Sequence, residues 1–193
     1  MSKKIAIIIG HPYPDSYCHA IAEAYAQGAR GKGAEVRCLD LSQLSFDPNL
    51  KHGYHERTEL EPDLLRAQAT ITWSDHLVIV YPNWWGSMPA ILKGFLDRTL
   101  LPGFAFKSKP NSLLYNKLLK GRSARVLVTM DSPVWYYRLF MRNAGHILMK
   151  RAVLQFCGIA PVRVSGFGPV KTSNADKRTS WLRKVEALGE RCR

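Results

Sequence analysis

Apolar positions along the chain fall into two patterns, short continuous runs and longer stretches with helical spacing. The runs at residues 3–9, 77–81 and 125–130 are dominated by β-branched and other apolar side chains. Strands that are buried on both faces have this composition, as in a parallel sheet. Residues 35–41, where apolar and polar positions alternate, and residues 162–167 complete a set of five predicted strands.

Between these runs, apolar residues recur every three or four positions, which is the spacing of a helix with one buried face. The pattern predicts helices at residues 16–31, 57–73, 89–98, within 135–157, and at 174–188. Residues 42–56 and 99–121 are predicted to be irregular, and loops as long as the second are often functional. Strands that alternate with helices five times predict one α/β domain, residues 1–193, built on a doubly wound five-stranded parallel sheet. We expect the strand order 2-1-3-4-5, which is one of the common orders of such sheets.

Composition agrees with a globular domain. Of the 193 residues, 46% are hydrophobic and 22% are charged, which provides enough apolar surface to fold and excludes disorder. No apolar run approaches the ~18 residues of a membrane span. The N-terminal segment has neither the long apolar region nor the cleavage site of a signal peptide, and the four cysteines show no CxxC spacing. We therefore expect a cytoplasmic protein with free thiols.

The net charge of +13 is concentrated in the C-terminal part of the chain. Residues 1–106 carry 10 basic and 11 acidic side chains, whereas residues 107–193 carry 18 basic and 4 acidic ones. A positive field of this size attracts phosphate groups, nucleic acid or an acidic lipid surface, and the charge alone does not distinguish these partners.

Candidate chemistry gathers in three loops that follow predicted strands, at residues 11–18, 82–88 and 130–135. In open α/β sheets, ligands bind beyond the carboxyl ends of the strands, so these loops are expected to meet around one crevice. The helix that opens near Ser16 offers free backbone N–H groups to an anion. The crevice therefore suits a flat aromatic ligand that carries a phosphate. Its aromatic and hydrogen-bonding side chains are Tyr13, Ser16, Tyr17, Asn83, Trp84, Trp85, Asp131, Ser132 and Trp135.

Each candidate also has a structural interpretation. Ser16 is a suitable N-cap, Trp84 and Trp85 could pack within their loop, and His11 is either a loop-bracing side chain or a phosphate donor. His52 and His55 have metal-like spacing, but they lie in a polar loop and are expected to be solvated. The chain has no GxGxxG, GxxxxGK[ST] or GxSxG motif, which argues against a dinucleotide Rossmann site, a P-loop and a hydrolase elbow.

Residues 82–95 read Pro-Asn-Trp-Trp-Gly-Ser-Met-Pro-Ala-Ile-Leu-Lys-Gly-Phe and are followed by Asp97 and Arg98. This segment resembles the strand-three region of the NAD(P)H:quinone oxidoreductase family, which is flavodoxin-like. Residues 11–20 are similar to the first loop of that family and residues 155–158 to the end of a late helix, so the likeness covers nearly the whole chain. It implies a flavodoxin-like fold, a tightly bound flavin, two-electron ping-pong hydride transfer from NAD(P)H, and a homodimer with active sites at its interface.

The resemblance also implies roles for individual residues. Those expected to hold the flavin phosphate and ribityl chain are His11, Ser16, Tyr17 and Cys18. Those expected to edge the isoalloxazine are Pro82, Asn83, Trp84, Trp85 and Gly86. The family often has Thr-Thr-Gly-Gly at the positions of Thr129, Met130, Asp131 and Ser132. Its catalytic Tyr and His are matched to Tyr137 and His146, whose spacing here is wider, and Tyr136 could equally be the inward tyrosine of its pair.

These features favour an NAD(P)H-dependent flavin oxidoreductase that acts on quinones or similar acceptors. FMN is slightly favoured over FAD because the chain is short for this family. The alternative is a flavin-bearing regulatory subunit of a membrane transporter, whose partner or lipid surface would face the basic half. A one-electron carrier is disfavoured by the charge of +13, and nucleic-acid binding by the separation of aromatic from basic residues. An apolar stretch in the long loop further predicts a homodimer: Leu100, Leu101, Phe104 and Phe106.

Overall fold

The computed structural model describes residues 2–56, 58–109 and 114–192. Its strands are β1 (Lys4–Ile9), β2 (Glu35–Asp40), β3 (His76–Pro82), β4 (Phe106–Ser108), β5 (Tyr115–Lys117), β6 (Ser123–Thr129) and β7 (Val162–Phe167). Its helices are α1 (Tyr17–Gly31), α2 (Pro62–Trp73), α3 (Ala90–Thr99), α4 (Val134–Leu139), α5 (Ala144–Ile147) and α6 (Ala175–Glu190). A π-helical segment, Leu148–Gln155, continues α5.

Five of these strands form one sheet with the order β2-β1-β3-β6-β7, and every neighbouring pair is parallel. Since β6 and β7 are the fourth and fifth predicted strands, the predicted order and fold class are confirmed. The central strand, β3, is buried along its whole length, as its continuous apolar sequence predicts.

Two apolar layers cover the sheet. One layer packs α2, α3, α4 and the π-helical segment against one face, and the other packs α1 and α6 against the opposite face. Helices α1 and α6 approach each other closely through two glycines. A Cβ atom on Gly28 would lie 2.0 Å from the backbone oxygen of Glu186, and one on Gly189 would lie 2.2 Å from that of Tyr25. No helix in the described part of the chain is long and apolar enough to cross a membrane.

The prediction of a helix over 57–73 is wrong at its start, because α2 begins at Pro62. Proline fits the first helical turn, where its missing N–H costs nothing. The preceding Glu61 is extended, and its carboxylate accepts a hydrogen bond from the buried guanidinium of Arg98 at 2.8 Å. Proline at the first helical position and the extended backbone of Glu61 together mark this boundary. Residue 57 itself lies outside the described residues.

The segment 99–121 is not simply a loop, because it contains the antiparallel ribbon of β4 and β5. Residues 110–113 of this segment lie outside the described residues. Three of its apolar side chains, Leu100, Phe104 and Phe106, are partly buried against the core instead of forming an exposed patch. The argument that this stretch forces a homodimer is therefore wrong, although the homodimer itself stays a prediction.

The helix predicted within 135–157 is interrupted. Helix α4 ends at Leu139, and the backbone then turns through Arg142 and Asn143, which both have positive φ (49° and 53°). The chain resumes as α5 and the π-helical segment. This break orients Tyr137 and His146 toward each other, with ring centroids 5.0 Å apart.

Candidate functional site

The three predicted loops meet at the carboxyl ends of β1, β3 and β6. They line an open cavity of about 190 Å³. The side chains that line it are His11, Ser16, Tyr17, Cys18, Pro82, Asn83, Trp84, Thr129, Met130, Asp131 and Val170. Ten of these eleven are predicted site residues, so the structure brings the three predicted loops together around one cavity. Val170 comes from the loop after β7, where its N–H donates to the carbonyl of Met130 at 2.9 Å.

The first loop is organised by two histidines. The ring Nδ1 of His11 accepts a hydrogen bond from the N–H of Tyr13 at 3.0 Å, and the ring lies edge-on to Trp84. Burial lowers the pKa of His11 and favours the neutral ring. A neutral ring that accepts at Nδ1 carries its proton on Nε2, so His11 braces the loop and still has one donor. The second histidine, His19, contacts Ser16 from behind the cavity.

Ser16 stands at the N-cap position of α1, but its side chain does not cap the helix. Its hydroxyl oxygen lies 2.9 Å from Nδ1 of His19 instead. The interpretation of Ser16 as an ordinary N-cap is therefore wrong. The first turn of α1 also contains no acidic side chain, which leaves the positive end of the helix available to an anion.

The thiol of Cys18 is buried beside Thr129, with the sulfur 3.4 Å from the hydroxyl oxygen Oγ1. Burial raises the pKa of Cys18 to about 11, so the group stays a neutral thiol near pH 7. It fills the floor of the cavity and is not a nucleophile.

The second loop forms a tight turn in which Trp84 and Ser87 exchange two backbone hydrogen bonds of 2.9 Å. Its two central residues, Trp85 and Gly86, have φ of 51° and 76°. Trp85 is fully exposed, so it does not pack within the loop, and neither Trp85 nor Gly86 lines the cavity. The turn thus places one indole, Trp84, at the cavity wall and the other in solvent at the same end of the sheet.

The third loop connects the cavity to the loop after β7. The carboxylate of Asp131 accepts a hydrogen bond from the N–H of Lys171 at 2.9 Å, and Met130 is buried beside Gly168. These contacts explain how the loop is held without the glycines common in similar sequences. Ser132 does not line the cavity.

Tyr137 and His146 do not line the cavity either. Tyr137 is buried, while Tyr136 is 43% exposed, so Tyr137 is the inward member of the pair. The hydroxyl of Tyr137 donates to the carbonyl of Gly86 and accepts from the N–H of Gly145, both at 2.8 Å. The structure therefore shows Tyr137 as the support of the turn that carries Trp85.

His146 has a buried Nε2 atom with no hydrogen-bond partner among the described residues. Burial lowers the pKa of His146, so the ring is neutral near pH 7. A neutral imidazole with one uncommitted nitrogen is able to donate or accept one further hydrogen bond.

Sequence analysis missed three residues at or behind the cavity: Val170, which lines it, His19, which contacts Ser16, and Asp40, whose Oδ2 lies 2.9 Å from Nε2 of His19. A signal for the last two existed, since His19 lies one helical turn after Ser16 and Asp40 ends the strand beside β1. His52 and His55 are exposed, as expected. Nδ1 of His52 lies 3.6 Å from Oε2 of Glu56.

A larger hollow of about 1040 Å³ lies between residues 50–56 and 58–60, α2 and residues 101–104. None of the predicted site residues lines it. Position decides in favour of the smaller cavity, because ligands of doubly wound sheets bind at the strand ends.

The donors of the smaller cavity fit a phosphate-bearing flavin. The side chains of His11 and Ser16 and the backbone N–H groups in the first turn of α1 can donate hydrogen bonds to a phosphate. Thr129 and Asn83 can hydrogen-bond to the hydroxyl groups of the ligand, and Trp84 offers an aromatic face to its ring. A doubly wound sheet with this pocket at its strand ends defines the class of flavodoxin-like proteins.

The comparisons with known proteins agree with this class. A family model described as flavodoxin-like fold matches residues 3–189. A Haemophilus influenzae protein named an uncharacterized NAD(P)H oxidoreductase is 32% identical over 91% of this chain and 89% of its own. A rat ribosyldihydronicotinamide dehydrogenase [quinone] is 25% identical over 96% of this chain and 92% of its own.

Solved structures give the same result. A Streptococcus mutans crystal structure has 31% sequence identity and a TM-score of 0.85, and the match covers 97% of this chain and 98% of that one. An FMN-dependent NADH-azoreductase from Bacillus anthracis, solved in complex with FMN, matches in fold, with 18% identity, a TM-score of 0.76 and 99% of both chains covered. The chain belongs to the NAD(P)H:quinone oxidoreductase family of flavodoxin-like proteins. It is an oxidoreductase.

Proposed function

We propose that the protein binds a flavin in the strand-end cavity and transfers two electrons from NAD(P)H to quinones or similar acceptors by a ping-pong mechanism. The observation that carries the proposal is the meeting of the three loops in one pocket of matching donors. A bound flavin supplies the hydride chemistry, as it accepts a hydride from NAD(P)H and passes two electrons on. A ping-pong order follows if NAD(P)H and the acceptor use the same open side of the pocket in turn.

FMN is the favoured cofactor. The cavity is open on one side, and its volume of about 190 Å³ lies below the roughly 300–1,000 Å³ of pockets for drug-sized ligands. A flavin mononucleotide would place its phosphate and ribityl chain inside and its ring along the rim. The azoreductase of matching fold was solved with FMN, which supports the same choice.

The predicted site residues would then have distinct roles, although Trp85, Gly86 and Ser132 lie beside the cavity and do not line it. His11, Ser16, Tyr17 and Cys18 hold the phosphate end, and Thr129, Met130, Asp131 and Ser132 shape the wall beyond β6. Pro82, Asn83, Trp84, Trp85 and Gly86 border the ring. Tyr137 and His146 remain our predicted donors to the reacting ring. For Tyr137, this role requires that its hydroxyl leaves the carbonyl of Gly86, to which it donates in this structure.

A homodimer would complete the site. An apolar surface, here called the α4 surface, adjoins the turn of Trp85, where Met141 lies beside Gly86. Its exposed members are Trp85, Trp135, Tyr136, Leu139, Phe140 and Met141. Monomeric proteins seldom expose an apolar patch beyond roughly 300–600 Å² unless it is functional. A second copy that covers this surface would close the open side of the cavity.

The four cysteines are unpaired, which supports the proposed cytoplasmic location. The transporter-subunit alternative stays a prediction that no observation here favours.

The decisive experiment is titration of the purified protein with FMN and FAD, followed by steady-state oxidation of NADH and NADPH with a soluble quinone. We expect FMN to bind and the quinone to accelerate oxidation. If neither flavin binds in a calorimetric titration, the proposal is wrong. If a flavin binds but no quinone turnover occurs, only the acceptor class is wrong.

A further inference from the structure

Ser16, His19 and Asp40 form a continuous hydrogen-bonded chain that ends at the strand-end cavity. Ser16 Oγ lies 2.9 Å from His19 Nδ1, and His19 Nε2 lies 2.9 Å from Asp40 Oδ2. Only Ser16 lines the cavity, so His19 and Asp40 can act on a ligand only through its hydroxyl. Because Ser16 does not cap α1, its hydroxyl is left to interact with His19 on one side and with the cavity on the other.

The far end of the chain is fixed. Asp40 closes β2, and its other carboxylate oxygen, Oδ1, accepts hydrogen bonds from the N–H and the hydroxyl of Ser42 at 3.0 and 2.8 Å. An ionised carboxylate only accepts hydrogen bonds, so His19 must donate from Nε2 to Asp40. This settles the position of one ring proton and leaves Nδ1 as the variable atom.

The state of Nδ1 decides what Ser16 offers to the cavity. When the ring is neutral, Nδ1 is an acceptor, and the serine hydroxyl must donate its proton to it. The serine then shows only lone pairs to the cavity, which repel a phosphate oxygen. When the ring is protonated, Nδ1–H donates to Ser16 Oγ, and the serine proton is free to be donated to a phosphate.

We propose that His19 and Asp40 are positioning residues that make Ser16 a hydrogen-bond donor to the phosphate of the bound ligand, and that binding is coupled to uptake of a proton from solvent by His19. This inference rests on the proposed flavin site. The proton enters at Nδ1 of His19, the bond from Ser16 to this nitrogen reverses, and the phosphate receives the serine proton as a hydrogen bond. Asp40 is placed to pair with the charged ring.

Other charged groups near the chain do not supply the same proton. Asp40 from β2 and His11 from the loop after β1 face His19. Burial lowers the pKa of His11, and its Nδ1 is already an acceptor for a backbone N–H. On α1, Glu23 lies one turn further along and pairs with Arg30. From α6, the backbone carbonyl of Arg178 accepts a hydrogen bond from the hydroxyl of Tyr17, the residue next to Ser16.

The test is isothermal titration calorimetry with FMN, or with FAD if that flavin proves the tighter ligand, in buffers of different ionisation enthalpy. Riboflavin, which lacks the phosphate, is the second probe. The titrations are run at about pH 7–8. This is above the second pKa of the phosphate group, which is about 6, so the phosphate of the ligand is already fully ionised. The variants are His19→Gln and Asp40→Asn. The matched control is His52→Gln, which removes an exposed histidine–carboxylate pair away from the cavity.

We expect the wild type and the control to take up a fraction of a proton, up to about one, per phosphate-bearing flavin. His19→Gln should abolish this uptake and weaken binding at least about tenfold, while riboflavin affinity is unchanged. Asp40→Asn should shift the pH profile of binding to lower pH.

Equal proton uptake by the wild type and His19→Gln overturns the inference while leaving the flavin site intact. An equal loss of affinity for riboflavin in His19→Gln also overturns it, since that result indicates general damage to the pocket. If the wild type binds no flavin at all, the inference fails together with the proposed function.

Discussion

Trp85 is a large apolar residue in a backbone conformation that side chains seldom adopt, with φ of 51° and a fully exposed indole. A residue held in this region costs about 1–3 kcal/mol, and such strain gathers at functional sites. We therefore expect Trp85→Gly to raise the free energy of unfolding, because glycine adopts positive φ without strain. Denaturant titration measures this change.

The same substitution should weaken flavin binding or raise the KM for NAD(P)H, because a stacked aromatic ring contributes about 0.5–1.5 kcal/mol beyond its buried area. Trp85→Ala should show the same loss without the gain in stability. Tyr54→Ala, an exposed aromatic at a distance from the turn, is the control. Unchanged flavin affinity and unchanged kinetics in both Trp85 variants would mean that this indole has no role in the site.

The roles of Tyr137 and His146 can be distinguished because their substitutions break different hydrogen bonds. Tyr137→Phe removes the partner of both the Gly86 carbonyl and the Gly145 N–H, so it should lower the free energy of unfolding by about 1–3 kcal/mol. His146→Ala breaks no hydrogen bond of Nε2 to the described residues. If either side chain donates to the reacting ring, its loss should slow the oxidation of NAD(P)H by roughly 10²-fold while flavin stays bound. Rapid-mixing kinetics decides this, and wild-type rates in both variants would refute the catalytic assignment.

At the scale of elements, His76 joins three of them at the end of the sheet opposite the cavity. His76 lies in β3. Its Nδ1 is 2.7 Å from the hydroxyl oxygen of Ser123 in β6, and its Nε2 is 3.2 Å from the hydroxyl oxygen of Tyr25 in α1. The ring is completely buried, and burial lowers its pKa from 6.5 to about 3. The folded protein therefore keeps this histidine neutral, whereas the unfolded chain protonates it below about pH 6.5.

This difference predicts the sign of a pH effect. Because the unfolded state binds the extra proton, stability should fall as the pH decreases from 6.5 toward about 3, by up to about 1.4 kcal/mol per unit from His76 alone. His76→Gln should flatten that part of the profile, whereas the exposed His52→Gln should not. Urea unfolding at a series of pH values measures the slopes, and equal slopes for wild type and His76→Gln would contradict the prediction.

At the scale of the whole molecule, the α4 surface predicts association. We expect a dimer mass by light scattering at micromolar concentration, and Phe140→Glu should shift it toward the monomer. Phe140 is 67% exposed and stacks on Tyr136, so a charge there opposes burial of the surface by a second copy. Tyr54→Glu, equally exposed but outside the surface, is the control. A wild-type monomer mass at all concentrations would contradict the dimer.

Much of the architecture could be predicted because it depends on local periodicity. Continuous β-branched runs mark strands that are buried on both faces, and their alternation with helices leaves few topologies for a parallel sheet. The start of α2 and the ribbon of β4 and β5 could not be predicted in the same way. Apolar spacing does not mark Pro62 as the first helical residue, and the three-residue strands of the ribbon are too short to show a period.

The sequence by itself determined the five strands of the sheet and the loops that follow them, and these loops meet because the carboxyl ends of parallel strands lie on one edge. Tertiary structure alone decided the partners of the side chains in those loops. Ser16 turns from its helix to His19, which is anchored by Asp40 from another strand, and Tyr137 supports the turn of Trp85 from 51 residues away. Burial patterns repeat within one element and can be recognised there, whereas a hydrogen bond between elements depends on where the folded chain brings two atoms together.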